Sequence, residues 1–307
     1  MISFNKKRIK RIFKNPYSGL SLILDHIAPF IKDDEKYIRW MYYTVFRRFP
    51  DLKNPQTYNE KLQWLKLHDK HSEYTNMVDK AEAKKYVANV IGEEYIIPTL
   101  GVYNSFDEID FSKLPNQFVI KCTHDSGGVV VCKDKSKLDI LSARKKIEYG
   151  LGKSAYWSTR EYPYKNVPPR IIVEEYMEDE SGYELKDYKI FCFDGKPEFL
   201  FVATDRGMKG EETKFDFYDL EWNHLPLTNG HPNSSKIIPK PKNLEKMVEI
   251  SAKLSQGIPH VRVDLYNING KIYFGELTFF HWSGLTRFVP EEWDYKFGEL
   301  LHLPVCK

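Results

Sequence analysis

Lys121 closes a β-rich run, Phe118-Val-Ile-Lys121, and is followed at once by Cys-Thr-His-Asp-Ser-Gly-Gly128 and a second β-rich run. A lysine at a strand end beside a glycine loop suits polyphosphate. The loop amides can form an anion-binding concavity, glycine lets the backbone come close, and the ammonium supplies a point charge. Ordinary hairpins also use lysine and glycine, so this element alone leaves both readings open. A second group is Arg262-Val-Asp264 and Gly275-Glu276-Leu-Thr278, on two expected strands joined through Asn269-Gly270. Two carboxylates near the ends of adjacent strands make a magnesium site, provided that both face the same way. Between the two groups, Ile171-Ile-Val-Glu174-Glu175-Tyr176-Met177 runs from apolar into acidic and aromatic residues, and Leu185-Lys-Asp187-Tyr-Lys189 follows. Such a strand end could line an adenine pocket and offer carboxylates to ribose hydroxyls; an exposed strand end would have the same composition.

Register decides whether the two carboxylates can cooperate. A two-residue turn at Asn269-Gly270 would set Asp264 opposite Gly275 and send Asp264 and Glu276 to different faces. A three-residue loop, 268–270 with Gly270 in the left-handed conformation, pairs Asp264 with Phe274 and Arg262 with Glu276. All four side chains then share one face, and this is the register expected.

The elements that must hold these residues are of mixed type. The first third reads as helical: residues 37–49 are rich in aromatic and aliphatic residues without strict alternation, and Thr57-Tyr-Asn-Glu60 is a capping box before Leu62, Trp64, Leu65 and Leu67. A third helix opens at Asp79, with Glu82 at its third position, and stops near Gly92. From Gln117 onward short β-rich runs dominate: residues 118–122, 129–132, 170–174 and 188–193. Asp194-Gly195 and Asn269-Gly270 mark hairpins and favour antiparallel pairing. Helices at about 140–149 and at 243–256, the latter with Leu244, Met247, Val248 and Leu254 on one face, interrupt the strands. The fold class expected is α+β, with no internal repeat.

A chain of 307 residues can bury a core of its own. Its 46 basic and 43 acidic residues leave a net charge of +3, which argues against a dedicated nucleic-acid-binding surface. Cys122, Cys132, Cys192 and Cys306 lack C-x-x-C spacing and read as reduced thiols of a cytoplasmic protein. No run approaches the ~18 to 20 apolar residues that span a bilayer, and the N-terminus does not read as a signal peptide. Lys6, Lys7, Arg8, Lys10, Arg11 and Lys14, interleaved with apolar residues, allow either a membrane-surface helix making peripheral contact or a solvated basic segment.

Other motifs fail. Gly150-Leu-Gly-Lys-Ser154 ends like a P-loop, but its first glycine would fall at Ile147. No G-x-G-x-x-G follows a strand, no D-x-D occurs, and His68, His71 and His124 lack zinc-like partners.

The order Asp79-Lys-Ala-Glu-Ala-Lys84, Val-Ile-Lys121 with its glycine loop, Val-Glu-Glu-Tyr-Met177, Arg-Val-Asp264 and Glu276-Leu-Thr278 resembles the ATP-grasp enzymes. More narrowly it resembles their TupA-like branch, the teichuronopeptide-biosynthesis type found with bacterial surface polysaccharides. The stretches 57–64, 121–128, 185–189 and 274–280 carry that resemblance, which extends over about residues 55–300. It implies an ATP-grasp fold of two α+β lobes with largely antiparallel sheets gripping ATP, after an N-terminal helical region. The expected division is 1–75, 76–175 and 176–307. By the same resemblance Lys84 and Lys121 would contact ATP phosphates and His124, Asp125, Ser126, Gly127 and Gly128 would close over them. Glu174, Glu175, Tyr176 and Met177 would face adenine, and Asp187 would touch ribose or nucleotide. Asp264 and Glu276 would hold Mg2+, and Arg262 would steady an oxyanion. Two departures stand out: Thr278 occupies the third place of the usual E-x-N and is a weaker ligand, and His281-Trp282-Ser283-Gly284 replaces a Pro-Gly-Ser-Gly-like turn.

The reaction so implied joins a carboxylate to an amine by way of an acyl phosphate. The acid would be a hexuronate of a glycan or an amino acid, its partner an amino acid or amino sugar, and the place the cytoplasm or the inner membrane face. A sugar kinase on the same fold, or a nucleotide-binding scaffold without turnover, are the rival expectations.

Overall fold

The computed structural model describes residues 16–305 except 126, 183 and 207–209. The basic segment of residues 6–14, Ser126 and Cys306 therefore lie outside the described residues. The chain begins with α1 (Pro16–Ile27), α2 (Asp34–Phe46), α3 (Tyr58–His68), α4 (Tyr74–Val78) and α5 (Glu82–Ile91). A first sheet follows from β1 (Thr99–Tyr103), β2 (Phe118–Cys122), β3 (Val129–Cys132) and β4 (Ile171–Glu175), with α6 (Ile140–Leu151) and α7 (Ala155–Thr159) between β3 and β4. Then come β5 (Asp187–Phe193), β6 (Lys196–Thr204), β7 (Lys214–Asp219), β8 (Thr228–Asn229), α8 (Leu244–Leu254), β9 (His260–Ile268), β10 (Lys271–Thr278), β11 (Phe288–Val289) and α9 (Glu292–Leu300). The first sheet has the order β1-β4-β2-β3, the second β10-β9-β5-β6-β7, and β11 pairs with β8. Among the described residues every strand pairing is antiparallel, so the molecule is α+β, as expected.

Local chemistry accounts for the boundaries. The capping box forms: Thr57 Oγ1 accepts from the Glu60 amide at 3.2 Å and Glu60 Oε2 from the Thr57 amide at 3.3 Å. Asp79 Oδ1 accepts from the amides of Ala81 at 2.8 Å and Glu82 at 3.2 Å, and Gly92 ends α5 at φ 113°. Asp194-Gly195 joins β5 to β6 with both φ angles positive, 49° and 78°, the primed turn that matches strand twist.

A large core takes in both faces of the second sheet. It includes Met247, Ile250 and Leu254 of α8, Tyr58, Leu62 and Leu65 of α3, Ala83 and Val87 of α5, and Phe297 of α9. Tyr74 and Val78 of α4, on either side of residue 75, both contribute to this core, and the chain passes from the first sheet to the second after β4. A smaller core around Phe118, Ile120, Ile147 and Ile171 serves the first sheet. Cys122, Cys132 and Cys192 are free, buried thiols. Among the described residues no helix is long and apolar enough to cross a membrane.

Candidate functional site

The β9–β10 register departs from the expectation. Ile268 pairs with Lys271, so the loop is the two-residue turn Asn269-Gly270, with φ 53° and 88°. The faces are reset by a bulge at Gly275: Phe274 still opposes Leu265, but Glu276 opposes Asp264 and Thr278 opposes Arg262. A Cβ at residue 275 would lie 3.0 Å from the Asp264 carbonyl oxygen and 3.3 Å from the Tyr266 ring, which is why glycine stands there. Of the four side chains expected on one face, Arg262, Asp264 and Glu276 share it, by a bulge instead of a longer loop, while Phe274 opposes Leu265 and lies on the other face. Gly275 was the available signal.

On that face β5 sets Lys189 opposite Asp264. Arg262 grips Asp264 bidentately, Nε to Oδ1 and Nη2 to Oδ2, each at 2.7 Å. Lys189 Nζ bonds Asp264 Oδ2 and lies 2.7 Å from Asp187 Oδ2, which Arg206 approaches to 2.6 Å. Glu276 Oε1 stands 3.7 Å from Arg262 Nη2, on a side chain 40 % exposed. Burial acts to raise the Glu276 carboxyl, but the charges of Lys189, Lys80 and Arg262 outweigh it and bring it down to about 2. Burial pushes Asp264 up, with Arg262 and Lys189 opposing.

Thr278, expected as a third metal ligand, gives its hydroxyl oxygen to Arg262 Nη2 at 3.0 Å. The donors that remain suit magnesium. Asp187 Oδ1 is buried without a hydrogen-bond partner, and Glu276, hydrogen-bonded to Asp264 and 3.7 Å from Arg262 Nη2, keeps a side chain 40 % exposed. Among the described residues no group of three His, Cys, Asp or Glu forms a closed cage, and magnesium characteristically takes one or two carboxylates and completes its shell with phosphate and water.

On the first sheet, Lys84 of α5 and Lys121 of β2 meet on one carboxylate, Glu174 of β4. Lys121 Nζ is 2.6 Å from Glu174 Oε2, and Lys84 pairs with Oε1 while also donating to Ile97 O at 2.7 Å and Thr99 Oγ1 at 2.8 Å. Burial would raise the Glu174 carboxyl; the two lysines win and hold it below the ordinary value. Glu174 therefore points at the lysines. Glu175 is exposed, and Tyr176 donates its hydroxyl to Glu178 at 3.0 Å, with Met177 half-buried beside it.

The glycine loop is folded inward. His124 Nε2 donates to Lys153 O at 3.1 Å, and Asp125 Oδ1 accepts from the Gly128 amide at 2.9 Å. A Cβ on Gly128 would lie 2.5 Å from Cys122 Sγ, whereas Gly127 has room. The side chains of His124 and Asp125, expected over the phosphates, thus bond to Lys153 and to the loop's own Gly128 amide, while Ser126 lies outside the described residues. Lys80 Nζ donates to Asp125 O at 2.5 Å, and its charge also acts on Glu276, so Lys80 joins the loop to the second sheet.

Sequence reasoning missed Lys80, Lys189, Arg206 and His281. Lys80 and Lys189 stand inside the motif stretches 79–84 and 185–189, Lys189 two strand positions after Asp187, but were given no role, and nothing in the spacing of Arg206 marks it. His281 was seen as a departure, not as a partner of Arg262, whose Nη1 it meets at 2.6 Å. The turn that follows is strained: Trp282 and Ser283 are left-handed at φ 49° and 57°, and Gly284 continues at 59°. For non-glycine residues that conformation costs about 1–2 kcal/mol each.

The family described as TupA-like ATPgrasp matches residues 60–302. No curated protein matches the chain. Among solved structures, D-alanine–D-alanine ligase from Bacillus anthracis complexed with ATP is 16% identical at TM-score 0.40, covering 66% of this chain and 55% of that one. D-alanine–D-alanine ligase from Helicobacter pylori is 16% identical at TM-score 0.38, covering 74% and 61%. The ATP-grasp ligase PsnB complexed with minimal precursor, Mg and ADP is 9% identical at TM-score 0.38, covering 72% and 57%. The chain thus spans little more than half the length of the first of these ligases.

Proposed function

From the premise that the chain belongs to the TupA-like ATP-grasp family, matched over residues 60–302, we propose that it is an ATP- and Mg-dependent carboxylate–amine ligase acting on a bacterial surface polysaccharide or its precursor. The observation that carries this reading is the common face of β5, β9 and β10, where Lys189, Arg262, Asp264 and Glu276 converge. In the proposed reaction a carboxylate oxygen attacks the terminal phosphorus of ATP and the bond to ADP breaks, leaving an acyl phosphate. An amine nitrogen then attacks the acyl carbon, phosphate departs, and the amine gives up one proton. Neither step needs a protein nucleophile; both need positioned charge.

The reading gives this chain's residues distinct tasks. Lys84 and Lys121 would exchange part of their hold on Glu174 for phosphate oxygens, beneath the backbone of the 124–128 loop. The segment 174–177 would border adenine, and Asp187 the nucleotide. Glu276 would hold magnesium together with Asp264, which would exchange its contact with Lys189 for the ion, whose chemistry is to neutralise phosphate charge. Arg262 would meet the negative charge that develops at the acyl carbon. The acid is a uronate or amino acid and the amine an amino acid or amino sugar, and the reaction would take place in the cytoplasm or at the inner membrane face.

The test is ADP release by the purified protein with Mg-ATP, against a panel of uronic acids and amino acids, with hydroxylamine as trapping amine. We expect acid-dependent ADP release and a hydroxamate, both abolished by Lys121→Ala and by Glu276→Ala. ADP release with a phosphorylated sugar and no hydroxamate would make the protein a kinase. Nucleotide binding without turnover would make it a scaffold, and absence of nucleotide binding would remove the assignment.

A further inference from the structure

His281 lies outside every role described so far, yet its ring is completely specified by its neighbours. Asn229 Nδ2 donates to the carbonyls of Thr286 at 3.3 Å and Arg287 at 3.1 Å, which leaves the Asn229 Oδ1 as an acceptor. That oxygen is 2.8 Å from His281 Nε2, so Nε2 must carry the proton. Nδ1 is then a bare lone pair, and it faces Arg262 Nη1 at 2.6 Å. Burial, with the nearby charge of Arg262, keeps the imidazole neutral by holding its pKa well below the ordinary value. An imidazolium here would have no lone pair to offer.

The consequence for Arg262 follows from counting. Its guanidinium has five N–H bonds. Two bind Asp264, one binds Thr278 Oγ1, and one binds His281 Nδ1. A single Nη1 N–H remains for a substrate oxygen, on a group fixed from three sides.

What holds His281 is the strained turn after it, and that turn is braced by a polar stripe on α3. Asn59, Gln63 and Lys66 recur at helical spacing on the buried face. Gln63 Nε2 donates to Ser283 O at 3.1 Å and Gly284 O at 2.8 Å, Lys66 Nζ to Ser283 O and Oγ at 2.8 Å each, and Asn59 Nδ2 to Thr286 O at 3.2 Å. A Cβ at Gly284 would lie 2.3 Å from Gln63 Nε2, so helix and turn are fitted to one another. Buried polar groups at this density around a left-handed backbone indicate a position held for a purpose.

We propose that His281 is the positioning residue of Arg262: its Nε2–H tautomer, selected by Asn229, accepts one guanidinium N–H and fixes the plane from which the remaining one reaches the substrate. The proposal rests on the ligase reading for the task of Arg262, but not for the pairing itself. The experiment has two arms. In the first, nitrogen-15 NMR of the full chain at neutral pH reads the tautomer without any substrate; we expect an Nε2–H imidazole whose Nδ1 is a hydrogen-bond acceptor. An Nδ1–H tautomer would overturn the proposal. In the second, acid-dependent ADP release is compared in His281→Leu and His281→Gln. We expect the leucine variant to lose about 10- to 100-fold in kcat, the usual range for removing a partner behind a functional side chain, with KM for ATP within about twofold. Glutamine, which can accept from Arg262 and donate to Asn229, should recover most of the loss. Equal losses in both variants, or none in a folded leucine variant, would also overturn it. Should wild type show no turnover with any acid, the ligase reading fails and the spectrum alone decides the pairing.

Discussion

Glu174 concentrates the residue-scale argument. Two lysines that the proposed reaction assigns to phosphate are held together on one buried carboxylate, which compensates charges that would otherwise repel. Replacing that carboxylate by an amide leaves Lys84 and Lys121 without a counterion. We expect Glu174→Gln to destabilise the protein by roughly 3 kcal/mol, in the range for breaking a buried pair. Mg-ATP would then supply the missing negative charge, so the rise in melting temperature on adding nucleotide should be larger in the variant than in wild type. Thermal shift with and without nucleotide measures both quantities. A smaller nucleotide-induced rise in the variant would mean that the lysines do not meet phosphate. The composition of the strand end around Glu174 was legible in the sequence. Its partners were not, because Lys84, Lys121 and Glu174 lie on three elements that meet only when α5 packs beside β4.

At the scale of elements the β9–β10 hairpin is the instructive case. Asn269-Gly270 is the strongest short hairpin signal, and it does make the two-residue turn that the pattern favours. The difficulty that such a turn raises, carboxylates on opposite faces, is solved six residues further on by the Gly275 bulge. A bulge adds one residue to one strand and so exchanges faces beyond it, which is equivalent for the site to lengthening the loop. Gly275→Ala should expose this. Its Cβ would press on the Asp264 carbonyl and the Tyr266 ring, at a cost of about 1–3 kcal/mol typical of overpacking, and would shift Glu276. The expected result is a modest loss in urea-unfolding free energy with a much larger loss of ATP turnover. Turnover retained at the wild-type level would mean that the bulge does not set the site.

For the molecule as a whole, what matters is the separation of the two cores. The second sheet shares its core with α3, α5, α8 and α9, whereas the first sheet packs against α6 through residues such as Ile147. An Ile147→Ala change should cost about 2–5 kcal/mol, as for other large-to-small core substitutions. If the cores are separate cooperative units, that loss will appear as faster amide hydrogen exchange in β2 and β4 and leave β5 and β9 protected. Equal acceleration in both sheets would show one unit instead.

The sequence by itself determined what local chemistry controls: the capping box at Thr57, the cap at Asp79, the tight turns at Asp194-Gly195 and Asn269-Gly270, the α+β class, and the order of motifs that marks the family. Each depends on residues a few positions apart, whose hydrogen bonds and backbone preferences are set by neighbours in the chain. Tertiary structure alone decided that α3 belongs to the core of the second sheet, that Lys84 and Lys121 share Glu174, that Thr278 serves Arg262, and that His281 completes the guanidinium's partners. Those pairings join side chains separated by up to hundreds of residues. No periodicity records them, because burial fixes which polar groups must satisfy one another only after the sheets and helices have packed.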